Sequence, residues 1–335
     1  MAQQIMLAYQ QRTPIPTGQQ LWESNTTWTV PADVTAISVV AVGAGGDASN
    51  GKDYTNGGVT RSQGGIGGNG GNLAYSNGIT VTPGESLTIV VGPNGSTQGG
   101  NNPTGTNGND GGDSGIKRGD TWLIKAQGGT GGQYGTTGGS NTSNGTGDSV
   151  GDVIRQGGVG RGYAGRQNSG RCVSGGGGAA GYSGNGGNAG LTVGHSVAAT
   201  GWGLRLTPTN GSGGGGGGGC PYGAGSSPFA GGGGGGVGLM GEGTSGSAGV
   251  QGNASNNGYN TDGDTAAGEG GSGGDDGAKS QGGDNGGYGG KYGGGAGGPA
   301  LTSRIIWGRG TQGGVRAIYG SSPARAFPST NTGNL

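Results

Sequence analysis

Aromatic and arginine side chains interrupt a chain that otherwise consists largely of glycine and small polar residues. Tyr, Trp and Arg are favoured anchors of binding surfaces, and loops on a rigid scaffold commonly carry such anchors. We therefore predict a binding surface on the segments between the glycine tracts. The alternative for any single ring is that it covers backbone at the end of a tract. The candidate binding residues are Tyr134, Arg161, Tyr163, Arg166, Trp202, Tyr222, Phe229 and Tyr259.

Catalytic chemistry has weaker support in the sequence. His195 is the one histidine, and no thiol, serine elbow or carboxylate stands at a telling spacing from it. Paired carboxylates can cleave glycosides, and Asp262 with Asp264, or Asp275 with Asp276, are candidates for such a pair. Two acids in a polar loop are more commonly solvated. We predict a protein that is not an enzyme and that has no cofactor and no metal site.

Short glycine motifs carry little information in this composition. Matches to G-x-G-x-x-G arise by chance, and none lies between a strand and a helix as a dinucleotide site requires. The tripeptide Arg118-Gly119-Asp120 spells an integrin-binding motif. We interpret it as a coincidence.

Cys172 and Cys220 are the only cysteines, with 47 residues between them. They are either two free thiols or a disulfide that joins two adjacent helices. Closing that loop would contribute about 3–4 kcal/mol. Metal binding is disfavoured because the chain has a single histidine.

The elements that must position these residues are glycine tracts with a period of three. Glycine accounts for 100 of the 335 residues. A period of three suits neither an α-helix nor a pleated strand, but it matches the polyproline II helix. A collagen triple helix is excluded, because the chain has only 12 prolines and its glycine repeats are short. The longest strict repeat comprises Gly175, Gly178, Gly181, Gly184, Gly187 and Gly190.

The sequence also predicts which polyproline II helices are central in a bundle. Such helices lack internal hydrogen bonds, so their N–H and C=O groups can bond to neighbours, and glycine lets the backbones approach. A helix in the centre needs glycine on all three of its rows, whereas a peripheral helix needs it on one or two. The runs 213–219 and 231–236 are therefore expected in the centre, and the tract 243–252 at the periphery.

Segments with high β-propensity stand on both sides of the main glycine-rich region. Residues 34–42 are nearly all apolar, as expected of a strand that is covered on both faces. Residues 79–82 and 87–91 read as two strands joined by a Pro-Gly turn. Further strands are predicted at 121–126 and 198–206, and at 304–308 and 316–320, which we expect to pair with each other.

Together these patterns predict an all-β or irregular fold, with a β-sandwich-like base and a bundle of glycine-rich polyproline II helices. The predicted organisation is an N-terminal arm or attachment segment at 1–20, a β-rich base at 21–130, the bundle with its variable loops at 131–298, and C-terminal strands with an extended tail at 299–335.

Charge and hydropathy exclude several partners. The 17 lysines and arginines balance 17 acidic residues, which argues against a basic face for nucleic acid. No apolar stretch approaches the roughly 20 residues of a membrane helix, so we expect no membrane insertion. The first residues, MAQQIMLAYQQRT, lack the pattern of a signal peptide. We expect synthesis in the cytoplasm without such a signal.

Three stretches support a family resemblance. They are 28–35 (WTVPADVT) leading to 39–43 (VVAVG), 79–92 (ITVTPGESLTIVVG), and 315–320 (VRAIYG) with 325–332 (RAFPSTNT). The first two resemble the opening strands and the next hairpin of glycine-rich tail and fibre proteins of tailed bacteriophages. The last resembles the ending of such proteins in T-even-like and marine phages.

The glycine tracts with intervening variable segments also resemble the tail-fibre tip adhesins of T-even-like phages, which fold as a polyproline II sandwich. The resemblance implies a virion protein of the tail or fibre whose loops bind a host outer-membrane protein or surface glycan. It further implies contacts with other tail or fibre proteins through the N-terminal arm or the β-base. The N-terminus differs from the attachment domain of those adhesins.

Two other classes of protein stay open. One is a structural fibre, decoration or filament subunit that packs through its glycine-rich faces. The other is an ice-binding protein, because flat polyproline II bundles occur in insect antifreeze proteins. The aromatic residues in the variable segments count against an ice-binding face.

Overall fold

A computed structural model describes residues 17–56, 59–63, 65–95, 105–134, 147–162, 172–193, 205–219, 231–249, 268–278, 286–298, 308–320, 325–329 and 332. These residues contain β-strands and no α-helix, in agreement with the predicted all-β class. The strands are β1 (Gly18–Trp22), β2 (Thr26–Thr29), β3 (Ala36–Val42), β4 (Lys52–Asn56), β5 (Val59–Gln63), β6 (Leu73–Thr80), β7 (Ser86–Val90), β8 (Ser114–Arg118), β9 (Thr121–Ala126), β10 (Val153–Arg155), β11 (Cys172–Ser174), β12 (Leu191–Val193), β13 (Arg205–Leu206) and β14 (Gly314–Tyr319).

Two antiparallel sheets pack face to face. Sheet A has the order β1-β14-β3-β6-β10, and sheet B has the order β2-β7-β8-β9. Alternate residues of β3 point to opposite sides of sheet A, and all of Ile37 to Val42 are buried. The prediction that 34–42 is covered on both faces is therefore confirmed for this strand. The core between the sheets includes Val39, Ala41, Ala74 and Val315 from sheet A, and Leu87, Ile89, Ile116 and Ile124 from sheet B.

The Pro83-Gly84 turn joins the two layers of this sandwich. The turn itself was predicted, but its flanking strands do not form the hairpin that the resemblance implied. β6 pairs with β3 and β10 in sheet A, whereas β7 pairs with β2 and β8 in sheet B. Each strand already has both edges occupied, so the chain crosses from one sheet to the other at this turn.

The C-terminal strand β14 is inserted into the middle of sheet A. Its residues pair with β1 on one edge and with β3 on the other. The predicted pairing of 316–320 with 304–308 is therefore wrong, because both edges of β14 are taken. β1 begins at Gly18, so residues 18–20 of the predicted arm belong to sheet A. Residues 1–16 lie outside the described part of the chain.

Along the glycine tracts, the direction in which the backbone N–H groups donate repeats every three residues. The tract 43–51, which continues from β3, is the clearest case. Gly43, Gly46 and Ser49 donate to 65–72, Ala44, Asp47 and Asn50 donate to 105–113, and Gly45 and Ala48 donate to 308–313. Three neighbouring segments thus surround this tract at three successive orientations. We call the whole set of tracts connected in this way the glycine array.

The two polyglycine runs are the interior of the glycine array. Every residue of 213–219 and of 231–236 is buried, whereas most residues of 243–249 are half-buried or exposed. These observations confirm the predicted central and peripheral positions for the described residues. The run 231–236 exchanges backbone hydrogen bonds with the tracts 175–181, 213–219, 268–271, 274–278, 286–290 and 294–298.

The rule that a central tract needs glycine on every row is too strict. The tract 43–51 is also fully buried, although it carries Asp47 and several other side chains. The side chain of Asp47 fits because a glycine stands opposite it. A Cβ atom on Gly95 would lie 1.5 Å from the Oδ1 atom of Asp47.

Candidate functional site: the loop end of the glycine array

The glycine array has two different ends. At the end that we call the sheet end, short turns at 182–184, 239–241 and 291–293 reverse the chain beside sheet A. A second hydrophobic core joins the outer face of sheet A to these turns. Its members include Val40, Val42, Leu73, Tyr75 and Ile318 from sheet A, and Ala179, Ala180, Tyr182, Val237 and Leu239 from the array.

The opposite end, the loop end, is where the variable segments leave the array. Backbone hydrogen bonds connect the residues that flank these segments. They run from Asn50 to Thr106, Gly67 to Arg161, Arg161 to Gly175, Gly298 to Ser174, Gly231 to Gly298, Gly287 to Gly231, Gly232 to Gly219, Gly249 to Gly217, Gly268 to Gly233 and Gly233 to Ala278. The residues on either side of six segments therefore lie close together, beside the β4–β5 hairpin. These segments are 96–104, 163–171, 220–230, 250–267, 279–285 and 299–307. The segment 135–146 begins at this end and returns near Gln127, whose amide bonds to the Ser149 hydroxyl.

Two of the candidate binding residues lie in the described part of the chain, and both are at the loop end. Tyr134 is half-buried, and its ring lies against Gly105, which has a φ of +66°. Its N–H donates to Oδ1 of Asn107 at 2.7 Å. The ring thus covers backbone at a tract end, and its role in binding stays a prediction.

Arg161 is held at the loop end by its backbone. Its N–H donates to Gly175 O at 3.3 Å, and its carbonyl accepts the N–H of Gly67 at 3.2 Å. Tyr163, Arg166, Trp202, Tyr222, Phe229 and Tyr259 lie outside the described residues. Cys172 belongs to β11 and pairs with Val193. Cys220 lies outside the described residues, so a disulfide between the two cysteines stays a prediction.

Side-chain amides and carboxylates connect several tracts of the array, and sequence reasoning missed this role. Their oxygen atoms accept backbone N–H groups of adjacent tracts. These acceptor side chains recur every three residues in the sequence, and this spacing is the feature from which their role could have been predicted. Asn69 and Asn72 accept from Gly160 and Gly157, Asn188 and Asn185 from Val159 and Gln156, and Asn107, Asp110 and Asp113 from Tyr134, Gly131 and Gly128.

Asp47 is a buried carboxyl group between three tracts. Its Oδ1 accepts the N–H of Gly310 at 3.0 Å, and its Oδ2 lies 3.4 Å from Nδ2 of Asn109. Burial raises the pKa of Asp47 to about 6, and the charge of Arg309 opposes this rise only in part. Asp47 is therefore bound inside the array and does not line an open site.

The other chemical candidates do not form a catalytic or metal site among the described residues. Asp275 and Asp276 are exposed, and Oδ1 of Asp276 accepts the N–H of Gly270. No group of three or more His, Cys, Asp or Glu side chains in the described part of the chain could hold a metal ion. His195, Asp262 and Asp264 lie outside these residues.

The Arg118-Gly119-Asp120 tripeptide forms the turn of the β8–β9 hairpin. Gly119 has a φ of +58°, which glycine adopts readily. Arg118 is bound to Glu85 across the edge of the sandwich. The arginine of the tripeptide is therefore part of an intramolecular ion pair at the surface.

Comparison with protein-family models finds no match, and comparison with curated proteins finds none either. The described residues contain no helix that is long and apolar enough to cross a membrane. The fold itself defines an all-β protein in which two packed sheets support an array of hydrogen-bonded glycine tracts. The residues that flank most of the variable segments lie together at the end of the array away from sheets A and B.

Proposed function

We propose that the glycine tracts are polyproline II helices and that the chain is a phage virion protein of the tail-fibre or adhesin type. Its loops would bind a receptor on the host surface, either an outer-membrane protein or a glycan, without catalysis. The return of hydrogen-bond direction every three residues supports the helix assignment, because a polyproline II helix has three residues per turn. The resemblance of the strands and of the C-terminus to phage fibre proteins supports the class.

The receptor-binding proposal depends on one observation. The residues that flank most of the variable segments lie close together at the loop end. Backbone hydrogen bonds between described residues of the array hold these flanking residues in place. Segments on such a platform can differ in sequence without loss of the packed tracts. This is the arrangement that recognition loops on a rigid scaffold require.

The other end of the molecule suits attachment to the particle. β1 is an edge strand of sheet A, and the residues before it precede the whole fold. We propose that the arm at 1–16 or the two-sheet base contacts other tail or fibre proteins. Receptor contact and attachment would then lie at opposite ends of the molecule.

Competition for adsorption tests the proposal. Purified protein is added to cells of the bacterial host before the phage, and the fraction of phage that adsorbs is measured. We expect adsorption to fall as the protein saturates the cells. A variant with alanine at Tyr163, Tyr222 and Phe229 should lose this competition, whereas Met240→Ala, an exposed residue of a sheet-end turn, should retain it.

Absence of cell binding by the intact protein would reject the receptor-binding proposal. Equal competition by the triple variant and by Met240→Ala would place the binding surface elsewhere. A structural subunit predicts a different result. It should self-associate in sedimentation experiments, and the alanine substitutions in the variable segments should leave its binding to cells at background level.

A further inference from the structure

Residues 325–329 and 332 of the C-terminal segment lie in a groove between sheet A and the sheet end of the glycine array. One wall of the groove is β6, which contributes Tyr75 and Asn77. The other wall is formed by Tyr182 and by the turn 239–241 with Glu242. The segment therefore contacts both parts of the fold at the point where they meet.

An aromatic pocket in this groove holds Phe327. The Phe327 side chain is 3% exposed. Its ring stacks on Tyr182, with centroids 6.1 Å apart and an interplanar angle of 11°. The ring of Tyr75 lies 6.4 Å from that of Phe327 and 6.1 Å from that of Tyr182, so the three rings form one cluster. Burial of an aromatic ring against two others is a large contribution for one side chain.

Asn77 binds the backbone of the same residue. Its Nδ2 donates to Phe327 O at 2.8 Å, and its Oδ1 accepts the N–H of Phe327 at 2.9 Å. The register between β3 and β6 shifts next to this residue, and Gly78 has a φ of +70°. Such a bulge turns a side chain away from the regular ladder. The bulge thus presents both polar groups of Asn77 to the backbone of Phe327.

The turn of the array supplies the remaining contacts. Glu242 N donates to Pro328 O at 2.7 Å, and the Thr332 hydroxyl donates to Met240 O at 2.6 Å. Gly241 leaves space for the segment, because a Cβ atom there would lie 2.3 Å from Ser329 O. The segment also carries its own turn, in which Ser329 N donates to Ala326 O.

We infer that this groove is a peptide-binding site whose ligand is the chain's own C-terminal segment. The ligand class is a short peptide with an aromatic residue followed by proline. The groove contacts the aromatic ring and the backbone of this peptide. Recognition uses side chains and loop backbone rather than a sheet ladder. The segment can therefore leave and return without the strands of sheet A separating.

A cleaved full-length chain tests this inference. A protease site is inserted between Ser321 and Ala324, the folded protein is cut there, and a labelled synthetic peptide of residues 323–335 is added. We expect the cut segment to remain bound during gel filtration and to exchange with the labelled peptide. The Phe327→Ala peptide should bind at least about 100-fold more weakly, as loss of a buried aromatic ring predicts.

Matched substitutions in the groove refine the test. Asn77→Ala should weaken binding of the labelled peptide about 10-fold or more, because both backbone contacts of Phe327 are lost. Thr80→Ala, an exposed position on the same strand, should leave binding unchanged. Equal affinities of the native and Phe327→Ala peptides would overturn the inference, as would a cut segment that never exchanges with excess peptide.

Hydrogen exchange on the uncut native chain gives an independent measurement. The amides of Phe327 and Glu242 should exchange through a local opening, faster than the amide of Val40 in the centre of sheet A. Exchange of all three amides only through global unfolding would show that the segment is an inseparable part of the fold, and would refute the inference.

Discussion

Arg118 and Glu85 form a two-point ion pair that closes one edge of the sandwich. Nε and Nη2 of Arg118 each lie 2.8 Å from a carboxylate oxygen of Glu85. Nη2 also donates to the carbonyl of Thr80 on sheet A at 2.8 Å. A strand end of sheet B is thereby connected to the turn that crosses between the sheets.

Glu85→Gln should lower the free energy of unfolding by about 0.5–1 kcal/mol, and less in high salt, because the pair is solvent-accessible. The hydrogen bond from Arg118 lowers the pKa of Glu85. The contribution of Glu85 is therefore present above its unfolded pKa and is lost as the pH falls through the folded value. Denaturant unfolding at two salt concentrations measures the effect. Asp120→Asn in the neighbouring turn should change stability by less than about 0.5 kcal/mol.

Asp47 should give a pH dependence of the opposite sign. Its pKa rises from 3.8 to about 6 on folding, so the folded state binds more protons between these values and stability falls as the pH rises through them. This contribution amounts to about 2 kcal/mol between pH 4 and pH 7. In Asp47→Asn, an oxygen can still accept the N–H of Gly310, and the contribution is absent.

The test for Asp47 is the difference in unfolding free energy between Asp47→Asn and the native chain. We expect this difference to shift in favour of the variant by about 2 kcal/mol from pH 4 to pH 7. A difference that is independent of pH would contradict a raised pKa at Asp47.

Gly234→Ala should disrupt the interior of the glycine array. A Cβ atom at Gly234 would lie 2.1 Å from the carbonyl oxygen of Gly177, and backbone on the opposite side cannot move as a side chain can. We expect a loss of more than about 3 kcal/mol or failure to fold. Gly147→Ala is the matched control, because no atom lies within 4 Å of its added Cβ. A thermal melt of Gly234→Ala close to that of Gly147→Ala would contradict close packing of the tracts.

Asn69→Ala should cost about 1–3 kcal/mol, because the N–H of Gly160 would be left buried without its acceptor at 2.8 Å. Asn107→Ala removes the same kind of contact, to the N–H of Tyr134, at an exposed site. We expect a smaller loss there, since water can replace the acceptor. Denaturant unfolding of the two variants compares the sites directly. Equal losses would show that burial does not govern the role of these side chains.

Local sequence patterns predicted the strands more securely than their partners. The apolar run at 34–42 and the β-prone segment at 121–126 are visible in any short window, and strands form in both. The position of β14 between β1 and β3 is not visible in this way, because it joins residues about 300 positions apart in the chain. The expected pairing of two neighbouring segments therefore failed.

The candidate site was predictable to a similar extent. The interruptions of the glycine repeat marked the variable segments. In the structure, the residues that flank most of these segments lie at the loop end of the array. The spacing of three between these Asn and Asp side chains was visible in the sequence, but the backbone N–H group that each one binds depends on which tracts are neighbours. The groove for Phe327 could not be predicted, since Tyr75, Tyr182 and the turn at 239–241 come together only after the array packs on sheet A.

The sequence by itself determined the period of three and the interior position of the polyglycine runs. Both follow from local sterics, because only glycine allows backbones to approach on every side of a tract. The tertiary structure alone decided which tracts are neighbours, how Asp47 is buried, and that the C-terminal segment joins the array to the sheets. These features depend on contacts between distant segments, and their energies arise only when the whole fold removes the groups from water.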